Sequence, residues 1–384
     1  MCPSPAAGPT VGMVGAGQLA RMTHQAAVDL DIDLVVLARS ADEPAVRAGA
    51  RHLVGEPDDP EAVTQLARLS RVLTFDHEQV PNQLLCRLGE QGHRVQPHAG
   101  ALRAAQDKLT GRRVFRDAGL PVPAFAGLGP DARQGVTAFA DRYGWPVVLK
   151  ARSGGYDGRG VAVVANPGDL GSALARMGTT GLLVEAYVPI ALELAVLGVR
   201  SPSGSWAVYP PVATMQVEGI CRELVMPAPV SPGLAAESQA LARRVAGALD
   251  ACGIVAVELF VDTAGQLVVN EIALRPHNSG HATIEGAVTS QFHNHLRAVL
   301  DWPLGDTALR APAAATVNVL GPPHGPDPRS RLTSALAVPG AAVHLYSKAP
   351  YPGRKLGHVT ALGHTAEEAL GTARHAASLL VAGT

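Results

Sequence analysis

The densest chemical signal in the chain is Lys150-Ala-Arg-Ser-Gly-Gly-Tyr156-Asp157-Gly-Arg159-Gly160, with four glycines within positions 154–160. A glycine-rich turn exposes backbone N–H donors, and Lys150 and Arg159 add cations, a combination suited to closing over phosphates. No Gly-Lys-Ser/Thr follows, so this is not a Walker A loop. A bare flexible hairpin tip is the alternative, but it does not account for Tyr, Asp and Arg together.

A pair of acids comes next. Glu258 interrupts the apolar run Ile254–Val261, and Glu271 ends Leu267–Ala273. If Thr263–Gln266 is a four-residue loop, 262 faces 267 and 258 faces 271. Two carboxylates directly opposite on one face lie roughly 5 Å apart and repel. A divalent cation between them turns that repulsion into a site, and Mg²⁺ (or Mn²⁺) accepts a few carboxylates plus substrate phosphates. Pairing of one Glu with Arg, or a different register, is the alternative.

Polar and cationic loops follow. Arg275-Pro-His277-Asn278-Ser279-Gly280-His281 lies at the C-terminal end of a strand, where a site loop is expected. Lys348 and Pro352-Gly-Arg354-Lys355-Leu-Gly-His358 gather cations around glycines and suit an anion; a solvated basic turn is the plainer reading. Glu185 and Glu193 bracket a strand end and the following turn, where carboxylates accept from an adenine amine or ribose hydroxyls. Gly15-Ala-Gly17-Gln-Leu-Ala20 fits G-x-G-x-x-A between a strand and a helix, an anion-binding turn. No acid follows the second strand at Leu37; Arg39 stands there, which leaves NADP and a ligand-free turn both open.

The elements that must hold these groups read as follows. A strand at 10–15, a helix from Gln18 to Asp29, a strand at Leu34–Leu37, a helix capped by Asp59-Pro60 and a strand at Arg71–Phe75 alternate as βαβ, which predicts an open parallel sheet. A helix at Lys108–Ala118 stops before Pro121-Val-Pro123. Strands at Val147–Ala151, Val161–Ala165 and Leu182–Val188 predict a small antiparallel unit with the character of a lid. A Pro/Gly-rich loop falls at 321–328, and a terminal helix opens on the capping box Thr365 to Glu368.

Composition sets the outer limits. The 384 residues are room for two or three domains, and 47% hydrophobic residues supply a full core. A net charge of -1 gives no support for a nucleic-acid or membrane-surface protein. No apolar run approaches the roughly 18 residues of a membrane span. Cys2, Cys86, Cys221 and Cys252 are scattered, which argues against a zinc ribbon and fits a reducing cytosol. The N-terminus has no signal-peptide pattern, so a cytoplasmic location is expected. His293 and His295 have no third ligand nearby in sequence. Only Lys108, Lys150, Lys348 and Lys355 are lysines. If Arg has taken over generic surface charge, these four mark places that need a compact ammonium.

Taken in order, Gly15-Ala-Gly-Gln-Leu, Gly154-Gly-Tyr-Asp-Gly-Arg-Gly160, Asn270-Glu-Ile-Ala, Arg275–His281 and Pro352–His358 make the chain resemble the N5-carboxyaminoimidazole ribonucleotide synthases of the ATP-grasp superfamily. The resemblance runs from about Val11 to about His358. It implies an α/β architecture: a Rossmann-like preATP-grasp domain at 10–105, an ATP-grasp domain at 106–310 with a small α+β lid at about 121–185 and an α+β body, and a C-terminal segment at 311–384. It implies ATP, Mg²⁺, bicarbonate and aminoimidazole ribonucleotide as ligands, and a homodimer. By matching position, Lys108 and Lys150 hold nucleotide phosphates, Glu185 and Glu193 meet adenine and ribose, and Glu258 and Glu271 hold the metal. Tyr156, Asp157, Arg159, Arg275, His277, Asn278, Arg354 and Lys355 surround bicarbonate, carboxyphosphate and the ribonucleotide phosphate. Gln18 and Glu78 touch the ribonucleotide. Two positions depart from the family pattern: Leu274 replaces a usual proline, and Tyr351 a frequent arginine. The rivals are another ATP-grasp ligase, such as a formate-using glycinamide ribonucleotide transformylase or a biotin carboxylase, an NADP oxidoreductase built on Gly15–Ala20, and a non-catalytic binding protein. The oxidoreductase leaves Glu258, Glu271 and the later loops unexplained.

Overall fold

Four parallel strands open the chain: β1 (Thr10–Val14), β2 (Asp33–Ala38), β3 (Arg51–Val54) and β4 (Val72–Phe75), in the order β3-β2-β1-β4. The structure, a computed structural model, describes residues 8–154, 160–178, 180–322 and 327–381. The expected βαβ alternation is present. Helix Gln18–Asp29 covers one face of this sheet, and helix Pro60–Leu69 buries Val63, Leu66 and Ala67 against the other. Asp59 caps the latter helix by accepting from Glu61 N–H at 2.9 Å, and Pro60 occupies the first helical position, where a missing N–H costs nothing.

The second sheet is antiparallel: β5 (Phe125–Gly127), β6 (Val147–Ala151), β7 (Val161–Val164) and β8 (Leu182–Ala186), in the order β5-β8-β6-β7. Helices Ala132–Tyr143 and Leu170–Met177 close its apolar face with Val136, Phe139, Leu170 and Leu174. This small unit has a core of its own. Strand β8 stops before Pro189, which has no N–H to offer a ladder.

The third sheet is the body. It comprises β9 (Ile190–Arg200), β10 (Trp206–Val208), β11 (Val212–Val217), β12 (Ile220–Met226), β13 (Gly253–Asp262), β14 (Leu267–Ala273), β15 (Ala313–Leu320), β16 (Ala341–Leu345) and β17 (Lys355–Gly363). Its order is β14-β13-β9-β11-β12-β15-β17-β16, with β10 paired to β9. The last segment therefore joins the body edge to edge through β12 and β15. Helix Ala366–Val381 lies on it and carries the expected cap: Thr365 Oγ1 accepts from Glu368 N–H at 3.1 Å, while Glu368 accepts from His364 N–H. Of the loop expected at 321–328, residues 323–326 lie outside the described residues.

His295 ties the first sheet to the body. Its Nδ1 accepts from Ile254 N–H at 3.2 Å, which puts the ring proton on Nε2, 2.8 Å from Thr74 Oγ1 in β4. Burial pushes its pKa down to about 3. The unfolded chain therefore takes up this proton first. The contribution is complete above pH 6.5 and drains away as pH falls toward 3, at about 1.4 kcal/mol per pH unit. Stability in denaturant unfolding between pH 7.5 and 5 should fall less steeply in His295→Gln than in wild type, by about that amount, other buried histidines such as His281 contributing to both slopes; an unchanged slope in the variant contradicts the assignment.

Candidate active site

The three units meet around one cleft of about 1260 Å³. The metal pair is the part nearest the sequence reading. Glu258 and Glu271 are register partners across β13 and β14, as expected. The route to that pairing differs from the expected one. The register at the turn differs: Val261, not Asp262, pairs with Leu267, and a bulge between Leu259–Val269 and Glu258–Glu271 restores the register by inserting Asn270. A bulge re-aims side chains. Here Asn270 and Glu271 both line the cleft, and Asn270 Oδ1 accepts from Lys150 Nζ at 3.1 Å. Glu271 pairs with Lys108. Burial, then Glu271 and Glu193, push the Glu258 carboxyl up to about 7. A carboxylate so reluctant to ionise, facing a second one, is what a divalent cation relieves, so the donor set fits Mg²⁺ or Mn²⁺. Among the described residues no cluster of three or more His, Cys, Asp or Glu ligands accompanies the pair. Phosphate oxygens and water would complete such a site.

Glu185, expected to meet the base, is held from both sides. Arg112 Nε donates to it at 2.6 Å and Lys150 Nζ lies 2.8 Å away, all three side chains being buried. Burial pushes Glu185 up, but Arg112 and Lys150 outweigh it and hold the carboxyl below its usual value. Burial, aided by Arg112, pulls Lys150 below the usual lysine value despite Glu185. Two cations and one carboxylate leave a net positive charge facing the cleft, which suits phosphate. Sequence reasoning missed Arg112. Its signal was an arginine four residues after Lys108, on the face of helix Lys108–Asp117 that buries Leu109 and Phe115. Glu193 lies inside the long strand β9, not on a turn, and accepts from Gln216 at 2.6 Å. The turn was misplaced because the chain resumes a strand immediately after Pro189.

Arg275 is oriented by Glu78, whose Oε2 accepts from Arg275 Nε at 2.9 Å; Arg275 Nη1 donates to Pro276 O at 3.2 Å. The Leu274 N–H also approaches Glu78, at 3.4 Å, a donor that a proline there would lack. His277 is clamped by Gln291, which accepts from its N–H at 2.8 Å and donates to its carbonyl at 2.7 Å. Its Nδ1 faces the Ser279 N–H and Oγ, so Nε2 carries the ring proton, 3.6 Å from Glu258. Burial and the neighbouring Arg275 and Lys355 hold this imidazole well below its usual pKa, hence neutral.

Asn278 exchanges two amide hydrogen bonds with Asn318, at 2.9 and 3.0 Å. Gln18, Glu78, Lys108, Lys150 and Lys355 all line the cleft. Arg354 does not line it: its guanidinium lies over the Tyr351 ring at 4.8 Å and donates to Ala349 O at 2.9 Å. Lys348 sits over the Tyr346 ring at 5.8 Å. Tyr156, Asp157 and Arg159 lie outside the described residues. The loop's two ends, Gly154 and Gly160, take φ of +77° and +75°, backbone that other residues adopt only with strain.

The Gly15–Ala20 turn is occupied by the protein's own acid. Gly17 N–H donates to Asp76 Oδ2 at 2.7 Å, and a Cβ on Gly15 would meet Asp76 Oδ1 at 1.7 Å. A carboxylate thus stands where a dinucleotide phosphate would approach. Arg39, the only support for NADP, is paired with Glu56 at 2.8 Å.

Comparison with known proteins follows the same lines. Residues 9–106 match the ribonucleotide synthetase preATP-grasp domain, 113–292 the ATP-grasp domain, and 314–372 the phosphoribosylaminoimidazole carboxylase C-terminal domain. The chain is 47% identical to an N5-carboxyaminoimidazole ribonucleotide synthase of Mycobacterium bovis, over 92% of this chain and 84% of that one. It is 40% identical to that of Corynebacterium ammoniagenes, over 97% and 92%. The structure superposes on the Aspergillus clavatus enzyme in complex with ADP and 5-aminoimidazole ribonucleotide with a TM-score of 0.91, at 32% identity over 97% and 99% of the two chains. The Thermus thermophilus enzyme gives 0.86 at 37% identity, over 97% and 99%.

Proposed function

Since the chain belongs to the N5-carboxyaminoimidazole ribonucleotide synthase family of ATP-grasp ligases, we propose roles for its cleft residues in that reaction. The reaction is the ATP-dependent synthesis of N5-carboxyaminoimidazole ribonucleotide from 5-aminoimidazole ribonucleotide and bicarbonate, in purine biosynthesis. The observation that carries the assignment of roles is the convergence on one cleft of the Glu258–Glu271 pair, Lys108, Lys150, Arg275 and His277.

Bicarbonate is a weak nucleophile, and its phosphorylated form, carboxyphosphate, decomposes in water. The protein's work is to align bicarbonate with the γ-phosphate, to balance developing charge and to keep water out. Lys108 and Lys150 hold the nucleotide phosphates, and Glu193 the ribose. Glu185 acts by holding Lys150. Glu258 and Glu271 would hold Mg²⁺, which when bound neutralises phosphate charge. Arg275, with Nε on Glu78, keeps its Nη edge for a two-point grip on carboxyphosphate. Neutral His277 offers its Nε2–H to a bicarbonate oxygen. Gln18, Asn278 and Lys355 face the ribonucleotide; Arg354 enters only if the turn that carries it swings toward the cleft. Tyr156, Asp157 and Arg159 serve bicarbonate and the carboxyphosphate. The amine of the ribonucleotide then bonds to the carboxyl carbon as the bond from that carbon to phosphate oxygen breaks, directly or through CO₂ retained in the site, and the departing phosphate takes the amine proton. Products are N5-carboxyaminoimidazole ribonucleotide, ADP and phosphate.

The domain limits 10–105, 106–310 and 311–384, a cytoplasmic location and a homodimer belong to the same reading. No described helix is long and apolar enough to cross a membrane. The carboxyphosphate step has a direct isotopic test. With ¹⁸O-labelled bicarbonate, one label should appear in the released phosphate; unlabelled phosphate at full turnover refutes it.

A further inference from the structure

The site loop is racked onto the last strands of the body sheet by three contacts. Asn318 in β15, His358 in β17 and His344 in β16 are direct register partners, Asn318 with His358 and His358 with His344. Direct partners share one face of a sheet, so the three form a single cross-strand row. Against this row lies the segment that begins with the 3-10 turn Asn278–Gly280 and continues into helix Thr283–Gly286. Positions 278, 281 and 285, spaced as one helical face, meet the row rung by rung. Asn278 exchanges amide hydrogen bonds with Asn318. The His281 ring stacks on His358 with centroids 4.6 Å apart and planes inclined 22°. Glu285 and His344 Nε2 are 2.7 Å apart.

The row is rigid in its own right. His344 and His358 stack at 4.4 Å, Tyr346 OH is 2.6 Å from His358 Nδ1, and Asn318 also donates to Cys221 O at 3.0 Å. His281 and His358 are 1% and 0% exposed, so no water competes for these surfaces. On the other side the loop meets the body without slack: a Cβ on Gly280 would come within 2.5 Å of Leu197 and Gln291 side-chain atoms. The backbone between Arg275 and His281 is thus held from two sides, by Gln291 and by the row.

We propose that Asn318, His358 and His344 are positioning residues for the reaction: strands β15, β16 and β17 of the body sheet fix the Arg275–His281 loop so that Arg275 and His277 meet the reacting carboxyl. The inference rests on the roles given above for that loop. Misplacement of a catalytic group by about 1 Å costs up to about 100-fold in rate. Nucleotide is held by other elements, so its affinity should not follow.

The test is a double-mutant cycle on Asn278 and Asn318, read as kcat for ADP release in the full substrate mixture and as Kd for ADP alone. Asn318→Ala should lower kcat about tenfold or more with ADP affinity within about twofold, and Asn278→Ala with Asn318→Ala should be no slower than the slower single variant. Normal kcat in folded Asn318→Ala, or losses that simply multiply, overturns the proposal. If Asn278→Ala is itself normal, the role of the loop residue fails and the proposal with it; slow Asn278→Ala beside normal Asn318→Ala sinks the proposal alone. Should Asn318→Ala fail to fold, His344→Gln at the more open end of the row decides: slower turnover with unchanged ADP affinity supports the rack, and wild-type turnover refutes it.

Discussion

Glu271→Gln should lower turnover by about 10²–10³-fold, the usual cost of removing a group that organises charge in the transition state, while leaving the fold intact. The two halves of this expectation have separate causes. Glu271 faces Glu258 in register across a hairpin, and in the roles proposed above the pair would supply the carboxylates for a cation that neutralises phosphate charge. Gln keeps the shape and removes the charge. For stability, Glu271 is half-exposed, and its ion pair with Lys108 is worth about 0–1 kcal/mol at such a site. Initial rates of ADP release at rising Mg²⁺, together with a thermal unfolding curve, separate the two. A variant with normal turnover contradicts the metal role; one that unfolds early contradicts the claim that Glu271 is dispensable to the fold.

The second large effect is on stability. Arg112→Leu should cost about 3–5 kcal/mol in denaturant unfolding, because it strands half of a buried charge network. Glu185 is 3% exposed at its side chain and is neutralised by Arg112 and Lys150 together. Arg112 also donates to Asn270 O, the carbonyl at the bulge that sets Glu271 in register. Its loss therefore leaves a buried carboxylate underpaired and a carbonyl unserved. Arg112→Lys, which restores charge without the planar fork, should recover part of the loss. An Arg112→Leu change within about 1 kcal/mol of wild type would mean that the network is solvated.

These two cases mark what the sequence could and could not reveal. The Glu258–Glu271 pairing came out as expected because strand periodicity is local and two departures cancel, the shifted turn and the bulge. The bulge at Asn270 was not legible, since two compensating shifts give the same pairing and no residue type announces them. Gly15–Ala20 was legible as an anion-binding turn. That Asp76 would fill it depends on β1 and β4 being neighbours, a fact of topology. Lys108, Lys150 and Lys355 were singled out by scarcity and do line the cleft, whereas Lys348 supports Tyr346. Arg112, Gln291, Asn318 and His344 escaped notice because each acts through a partner brought near by folding. Asn318 is 40 positions from Asn278 and Arg112 is 73 from Glu185, and polar residues of this kind are unremarkable until burial gives them a single partner. The resemblance to known synthases supplied the chemistry, and the structure supplied the supports.

The measurement that bears most directly on the central claim is ADP release by the intact chain with ATP, Mg²⁺, bicarbonate and 5-aminoimidazole ribonucleotide, each omitted in turn. Full release is expected only in the complete mixture, with carboxylated ribonucleotide formed in equal amount. Background release in the complete mixture, or release that ignores the ribonucleotide and bicarbonate alike, would contradict it.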